Sequence, residues 1–237
     1  MTEVRDLWEL GNHRLLCGDG TERCDLERVL NGSLSGMNFS DLPYNAAYSG
    51  KTARHLTMAN DDFGDRFPAF LAAACQIMLA VNSGAIYLCM SSRELHHLCE
   101  AFLRRRGPLV HLRHLGQKRF HPGTCGLSAP VRADFVRLER RLSSLLVRRP
   151  RSGRCGAGPL CRSRLNLLAA ERTGRRACVV EIDPRYCDAT VRRWESYSGQ
   201  PARLVPAGQS FSEVSAQRRR GEQTEQERRH EPARQTL

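Results

Sequence analysis

Apolar residues along the first hundred positions fall into short blocks whose spacing alternates between strand and helix. Leu10, Leu15, Leu16 and Cys17, followed by Gly18 and Asp19, read as a strand running into a loop over residues 7–19. Leu26, Val29 and Leu30 share one helical face and predict a short helix from Asp25 to Leu34. The next run, Met37-Asn38-Phe39-Ser40, reads as a strand ending at Asp41. Tyr48 to Asp65 is polar and reads as a loop. Phe67, Phe70, Leu71, Ala74, Met78 and Leu79 recur at helical spacing, which predicts a helix from Phe67 to Val81 with Pro68 in its first turn. Gly84 to Met90 reads as a buried strand, and a helix follows from Ser91 or Ser92 to about Leu103. His96 and His97 lie on that helix and read as surface or packing residues. Strand, helix, strand, helix is the order of an α/β protein with a parallel sheet.

The pattern stops at Arg104. Residues 104–164 contain no Trp or Tyr, many isolated arginines, and prolines at 108, 122, 130, 150 and 159. It resumes at Leu165, where Leu167, Leu168 and Ala170 continue a helix that Gly174 ends. Arg176 to Ile182 reads as a strand, and Tyr186 to Tyr197 as a helix with Val191 and Trp194 on one face. From about Ala207 the chain is polar and charged, the composition of a disordered tail. Four segments result: 1–103, 104–164, 165–206 and 207–237.

Composition adds location to this picture. The 237 residues are enough for one α/β domain with a core. No apolar run looks long enough to span a membrane, and Met1-Thr2-Glu3-Val4-Arg5 does not begin a signal peptide, so the expected compartment is the cytoplasm. Ten cysteines are scattered without a Cys-x-x-Cys pair, and no metal site is expected. The formal net charge is +12. Residues 101–165 hold 16 of the chain's 37 Lys and Arg and only two of its 25 Asp and Glu, so the basicity belongs to that segment. It reads either as a disordered insert or as a nucleic-acid contact.

Candidate chemistry centres on Asp41-Leu42-Pro43-Tyr44. An acceptor at a strand end, a stiffened backbone and an aromatic face suit a planar ring bearing an amine. The same four residues also fit an acidic strand end followed by a proline turn. Together with Leu10-Gly11-Asn12-His13-Arg14-Leu15-Leu16-Cys17-Gly18-Asp19, Ala59-Asn60-Asp61-Asp62, Gly84 to Ser92, Ala169 to Arg176 and Glu181-Ile182-Asp183-Pro184-Arg185-Tyr186, the motif resembles the DNA amino-methyltransferases. The β arrangement of that family, catalytic motif before cofactor motif, is the one matched, over about residues 7–102 and 165–206. The resemblance implies a Rossmann-like α/β sheet, here incomplete, and S-adenosylmethionine as cofactor. It implies methylation of an exocyclic amine in double-stranded DNA, adenine before cytosine, as in restriction-modification systems. Asp41, Leu42, Pro43 and Tyr44 would be catalytic, with Leu42 in place of the family's first proline. Glu181, Asp19 and Asp183 would lie on the cofactor side, and Lys51 and Arg54 would meet phosphates. Without the family, Asp19 reads equally as a loop acid, Glu181 as a strand-end acid, and Lys51 and Arg54 as solvated loop residues.

The centre departs from the pattern. The family's Asp-Pro-Phe-x-Gly-Ser-Gly loop should precede Leu165, where this chain has Arg154-Cys155-Gly156-Ala157-Gly158-Pro159-Leu160-Cys161-Arg162-Ser163-Arg164. Gly156 and Gly158 lack the expected neighbours. Back-translating Val110 to Leu138 and reading one nucleotide later permits Thr-Phe-Val-Ile-Trp-Ala-Lys-Asn and Gly-Arg-Ala-Asp-Tyr-Gln-Arg-Gln-Tyr-Glu-Pro-Ile-Leu-Tyr. Both resemble the family's next strand and loop, so the segment reads as a frameshifted remnant. Two other expectations stand beside the enzyme: a non-catalytic basic protein binding nucleic acid through 104–164, and an inactive fragment.

Overall fold

The computed structural model describes residues 1–43, 45, 63–90, 92–104 and 165–230. It is a mixed α/β structure with a mixed sheet. Strand β1 (Leu7–Leu10) and β2 (His13–Cys17) form a hairpin through Gly11-Asn12. Gly11 has φ +58°, the backbone sign that a two-residue hairpin turn needs. Helix α1 (Arg23–Leu30) follows and stops at Asn31, which takes the left-handed conformation at φ 52°. That cap ends the helix four residues before the expected Leu34. Strand β3 (Ser35–Asp41) comes next.

After the loop, a short 3-10 turn (Gly64–Arg66) leads into α2 (Phe67–Val81), then β4 (Asn82–Cys89), a second 3-10 turn (Ser92–Glu94) and α3 (Leu95–Arg104). The last part contains α4 (Leu165–Arg172), β5 (Cys178–Glu181), α5 (Pro184–Ser198), β6 (Arg203–Val205) and α6 (Phe211–His230).

The strands form two sheets among the described residues. One has the order β5-β2-β1-β6, with β2 and β5 parallel and the β1 pairings antiparallel. The other is the parallel pair β3-β4. The expected all-parallel sheet is thus corrected, because a two-residue turn can only fold β1 back antiparallel on β2. The expected buried strand at Gly84 to Met90 is also corrected: among the described residues β4 pairs with β3 alone, and its residues are half-buried or exposed. Gly84 is required there. A Cβ on it would stand 1.8 Å from the Gly36 carbonyl oxygen, beside the bulge between Ser35 and Met37.

Apolar side chains alternate across the four-stranded sheet. Leu7, Leu16, Cys178 and Val180 pack against Leu26, Val29 and Leu30 of α1. Trp8, Leu10, Leu15 and Val179 face the other way, onto Leu167 of α4, Val191 and Trp194 of α5, and Phe211 and Val214 of α6. The β3-β4 pair has its own core, where Leu42 meets Phe67, Leu71, Ala74 and Met78 of α2 and Leu98 of α3. Val81, the last residue of α2, joins the cluster under α1 and ties the two parts together.

Two further expectations are corrected. Residues beyond 207 were expected to form a disordered tail, yet α6 runs to His230. Its Phe211 and Val214 enter the core, and Arg218 bonds Asp6 and the Met1 carbonyl. Few apolar residues suffice because tertiary contacts, not an apolar stripe, hold its first turns. Second, Gly64–Val81 is long and apolar enough to cross a membrane by length and composition, contrary to the sequence expectation. Phe67, Leu71, Ala74, Cys75, Met78 and Val81 on it are buried within the fold, as in a core helix.

Candidate active site

Two pairs of adjacent parallel strands place their carboxyl ends where open α/β folds bind ligands. At the first, β3 ends in Asp41, paired in register with Cys89 of β4. The ladder continues one residue further, since the Leu42 N–H donates to the Cys89 carbonyl at 2.9 Å. The Leu42 side chain is 1% exposed and fills the core between α2 and α3. A proline at this position would lose that hydrogen bond. Leucine holds the backbone by a different means, an added ladder bond and a buried anchor. Pro43 is half-buried and follows directly. Asp41 is half-buried beside Cys89. Burial, with the Asp41 charge added, pushes the Cys89 thiol up to about 11, so that thiol stays neutral next to the carboxylate.

At the second, β2 and β5 run in parallel with Cys17 opposite Glu181, and the Gly18 N–H donates to the Glu181 carbonyl at 3.0 Å. Asp19 and Glu181 therefore stand at neighbouring strand ends. Glu181 is 8% exposed, and its Oε1 accepts the Asp183 N–H at 3.1 Å, which orients the carboxylate. Asp19 Oδ1 accepts from Thr21 N–H and Thr21 Oγ at 2.8 and 2.7 Å, closing the turn before α1. Asp25 lies against the same turn, accepting the Asp19 N–H at 2.8 Å. Sequence reading placed Asp25 only as a helix start.

Asp183 is the N-cap of α5. It accepts the Arg185 N–H at 2.8 Å and pairs with the Arg185 guanidinium at 2.7 Å. Those bonds to the Arg185 side chain, then its backbone N–H, hold the Asp183 carboxyl below its ordinary value. Its carboxylate is engaged as a cap, the role that Asp followed by Pro at N1 favours.

Comparison with protein-family models, curated proteins and solved structures found no match to this chain.

The structure places Asp19 and Glu181 at neighbouring strand ends, and Asp183 lies two residues beyond Glu181. Asp41, Leu42 and Pro43 lie on the separate β3-β4 pair. Tyr44, Lys51 and Arg54, the Ala59-Asn60-Asp61-Asp62 match, Gly156 and Gly158, and the reading-frame proposal for Val110 to Leu138 lie outside the described residues. Among the described residues no group of three or more His, Cys, Asp or Glu could hold a metal.

Sequence reading missed a polar network below the second site. His13 Nδ1 accepts the Ala177 N–H at 2.9 Å, which leaves the proton on Nε2 to donate to Glu171 Oε2 at 2.7 Å. Trp194 Nε1 donates to the same oxygen at 2.8 Å. The network joins β2, α4 and α5 and holds the amino ends of the strands whose far ends carry Asp19 and Glu181. Burial lowers the His13 pKa, outweighing Glu171. Burial would raise Glu171, but the Trp194 and His13 donors outweigh it and hold that carboxyl below its ordinary value.

Proposed function

We propose that the chain is a DNA amino-methyltransferase of the β arrangement that uses S-adenosylmethionine, with adenine as the preferred base. One observation carries the reading: Asp41 ends a parallel strand and is followed at once by an anchored Leu42 and Pro43. Asp19 and Glu181, near the neighbouring ends of β2 and β5, support it, because buried or turn-bound acceptors there suit ribose hydroxyls and an amine.

The exocyclic amine of a base is a poor nucleophile because its lone pair is delocalised into the ring. Asp41 accepts one of its N–H groups and the Leu42 carbonyl accepts the other. Both acceptors favour a pyramidal nitrogen and stabilise positive charge as the new N–C bond forms and the methyl–sulfur bond breaks, leaving a neutral thioether. One amine proton would pass through Asp41 to solvent. Tyr44 stacks on the base once it has left the duplex. The cofactor, when bound, supplies a methyl group on a sulfonium. Glu181 and Asp19 would hold it at the β2 and β5 ends, with the Glu181 carboxylate oriented by the Asp183 N–H. Lys51 and Arg54 contact phosphates of double-stranded DNA.

The test is transfer of labelled methyl from S-adenosylmethionine to duplex DNA by the full chain. Wild type is expected to label adenine, and Asp41→Ala to lose at least about a hundredfold in rate, the scale of removing a charge-stabilising acceptor. Equal labelling by wild type and Asp41→Ala overturns the reading.

A further inference from the structure

Two polar side chains outside the proposed chemistry hold the chain just beyond Asp41-Leu42-Pro43-Tyr44. Asn45 has φ 51°, in the left-handed region, which asparagine enters more readily than most residues. Its Oδ1 accepts the N–H groups of Phe63 at 3.1 Å and Gly64 at 3.2 Å, at the head of the turn leading into α2. Its Nδ2 donates to Glu94 Oε1 at 3.3 Å, in the turn before α3. The Glu94 side chain is largely buried, and its second oxygen lies 3.8 Å from His97 Nε2. One side chain, a single residue past Tyr44, therefore reaches the turns that lead into both helices whose core receives Leu42.

On the near side of Tyr44 the backbone is fixed by the Leu42 ladder bond and by Pro43. On the far side the described polar anchors are those of Asn45. In-line methyl transfer is sensitive to placement, and a shift of about 1 Å in a reacting group costs on the order of a hundredfold. We infer that Asn45, acting with Glu94, is a positioning residue for Asp41, Leu42 and Pro43 at the end of β3. The inference rests on the methyl-transfer reading. Asparagine suits the position because it combines an acceptor for two backbone donors, a donor for a carboxylate and tolerance of positive φ. Alanine would keep none of these properties.

The polarity of the Asn45–Glu94 pair can be exchanged. Asn45→Asp keeps an oxygen for Phe63 and Gly64 but sets a carboxylate against Glu94. Adding Glu94→Gln restores a donor–acceptor pair with the overall charge unchanged. The experiment compares wild type, Asn45→Ala, Asn45→Asp and Asn45→Asp with Glu94→Gln as full chains shown folded by circular dichroism. It reads amide hydrogen exchange at Phe63 and Gly64, S-adenosylmethionine affinity, and kcat and KM for DNA methylation. Asn45→Ala is expected to exchange both amides at least about tenfold faster. Its kcat should fall about ten- to a hundredfold at unchanged KM and cofactor affinity. Asn45→Asp alone should also lose kcat, and the double variant should recover to within about threefold of wild type. Retained amide protection in Asn45→Ala, or unchanged kcat despite its loss, overturns the inference. A parallel rise of KM without rescue by the exchanged pair also overturns it, because that is the mark of a structural contact alone. An inert wild-type chain whose amides respond as expected overturns the methyl-transfer reading, and the positioning role with it.

Discussion

Leu42 shows how one residue can depart from a family-like pattern and still be fitted to its place. Its N–H extends the β3-β4 ladder and its side chain is core. Placing a proline there by Leu42→Pro should therefore harm this protein. The variant loses a backbone hydrogen bond and leaves a cavity among Phe67, Leu71 and Leu98, and about 2 to 4 kcal/mol of stability should go with them. Denaturant unfolding measures this, and a variant as stable as wild type would refute the anchoring role. The Asp41 end was legible in the sequence because an apolar run ending in an acid and then a proline has few local readings. Asn45 and Glu94 were not. They pair across 49 positions, and a polar pair that distant leaves no periodicity to read. Asp183 was legible as a strand-end acid, but Asp-Pro-Arg is also a helix start, and the cap is what the fold makes of it.

At the scale of elements, α2 and α5 matched their apolar spacing closely, because each buries one face of fifteen residues. Strand β6 is three residues long and α6 carries few apolar side chains, so neither has a pattern to detect. Both are held by contacts far apart in sequence, through β1 and through Asp6. The His13-Glu171-Trp194 network is likewise an element-level device that joins β2 to α4 and α5. It has a pH consequence. Folded His13 binds its proton less readily than the unfolded chain does, near 6.5, so folding is opposed as pH falls below that value. Protonation would also set a second N–H against the Ala177 N–H. Glu171 acts in the same direction at lower pH, since its depressed carboxyl gives stability above its unfolded value that is lost in acid. The melting temperature should drop between about pH 7.5 and about pH 5.5. His13→Gln should be less stable at the upper pH but lose most of that slope. An unchanged slope in the variant would show that His13 does not titrate with folding.

For the molecule as a whole, α/β class and the alternation of strands and helices could be read from hydrophobic spacing. The division of the described residues into a mixed four-stranded sheet and a separate parallel pair could not, because strand neighbours are chosen by tertiary packing rather than local pattern. Function follows the same division. Asp41 belongs to one strand pair, and Asp19 and Glu181 lie at the ends of the other, so the methyl-transfer reading requires that the second end hold the cofactor while the first holds the base. Calorimetric titration of the full chain with S-adenosylmethionine tests this most directly, beside Glu181→Ala and with circular dichroism establishing the fold. Binding in the micromolar range, about 8 kcal/mol, is expected, weakened at least about tenfold by Glu181→Ala. A folded chain that does not bind S-adenosylmethionine, or that binds it equally well without the Glu181 carboxylate, contradicts the methyl-transfer reading.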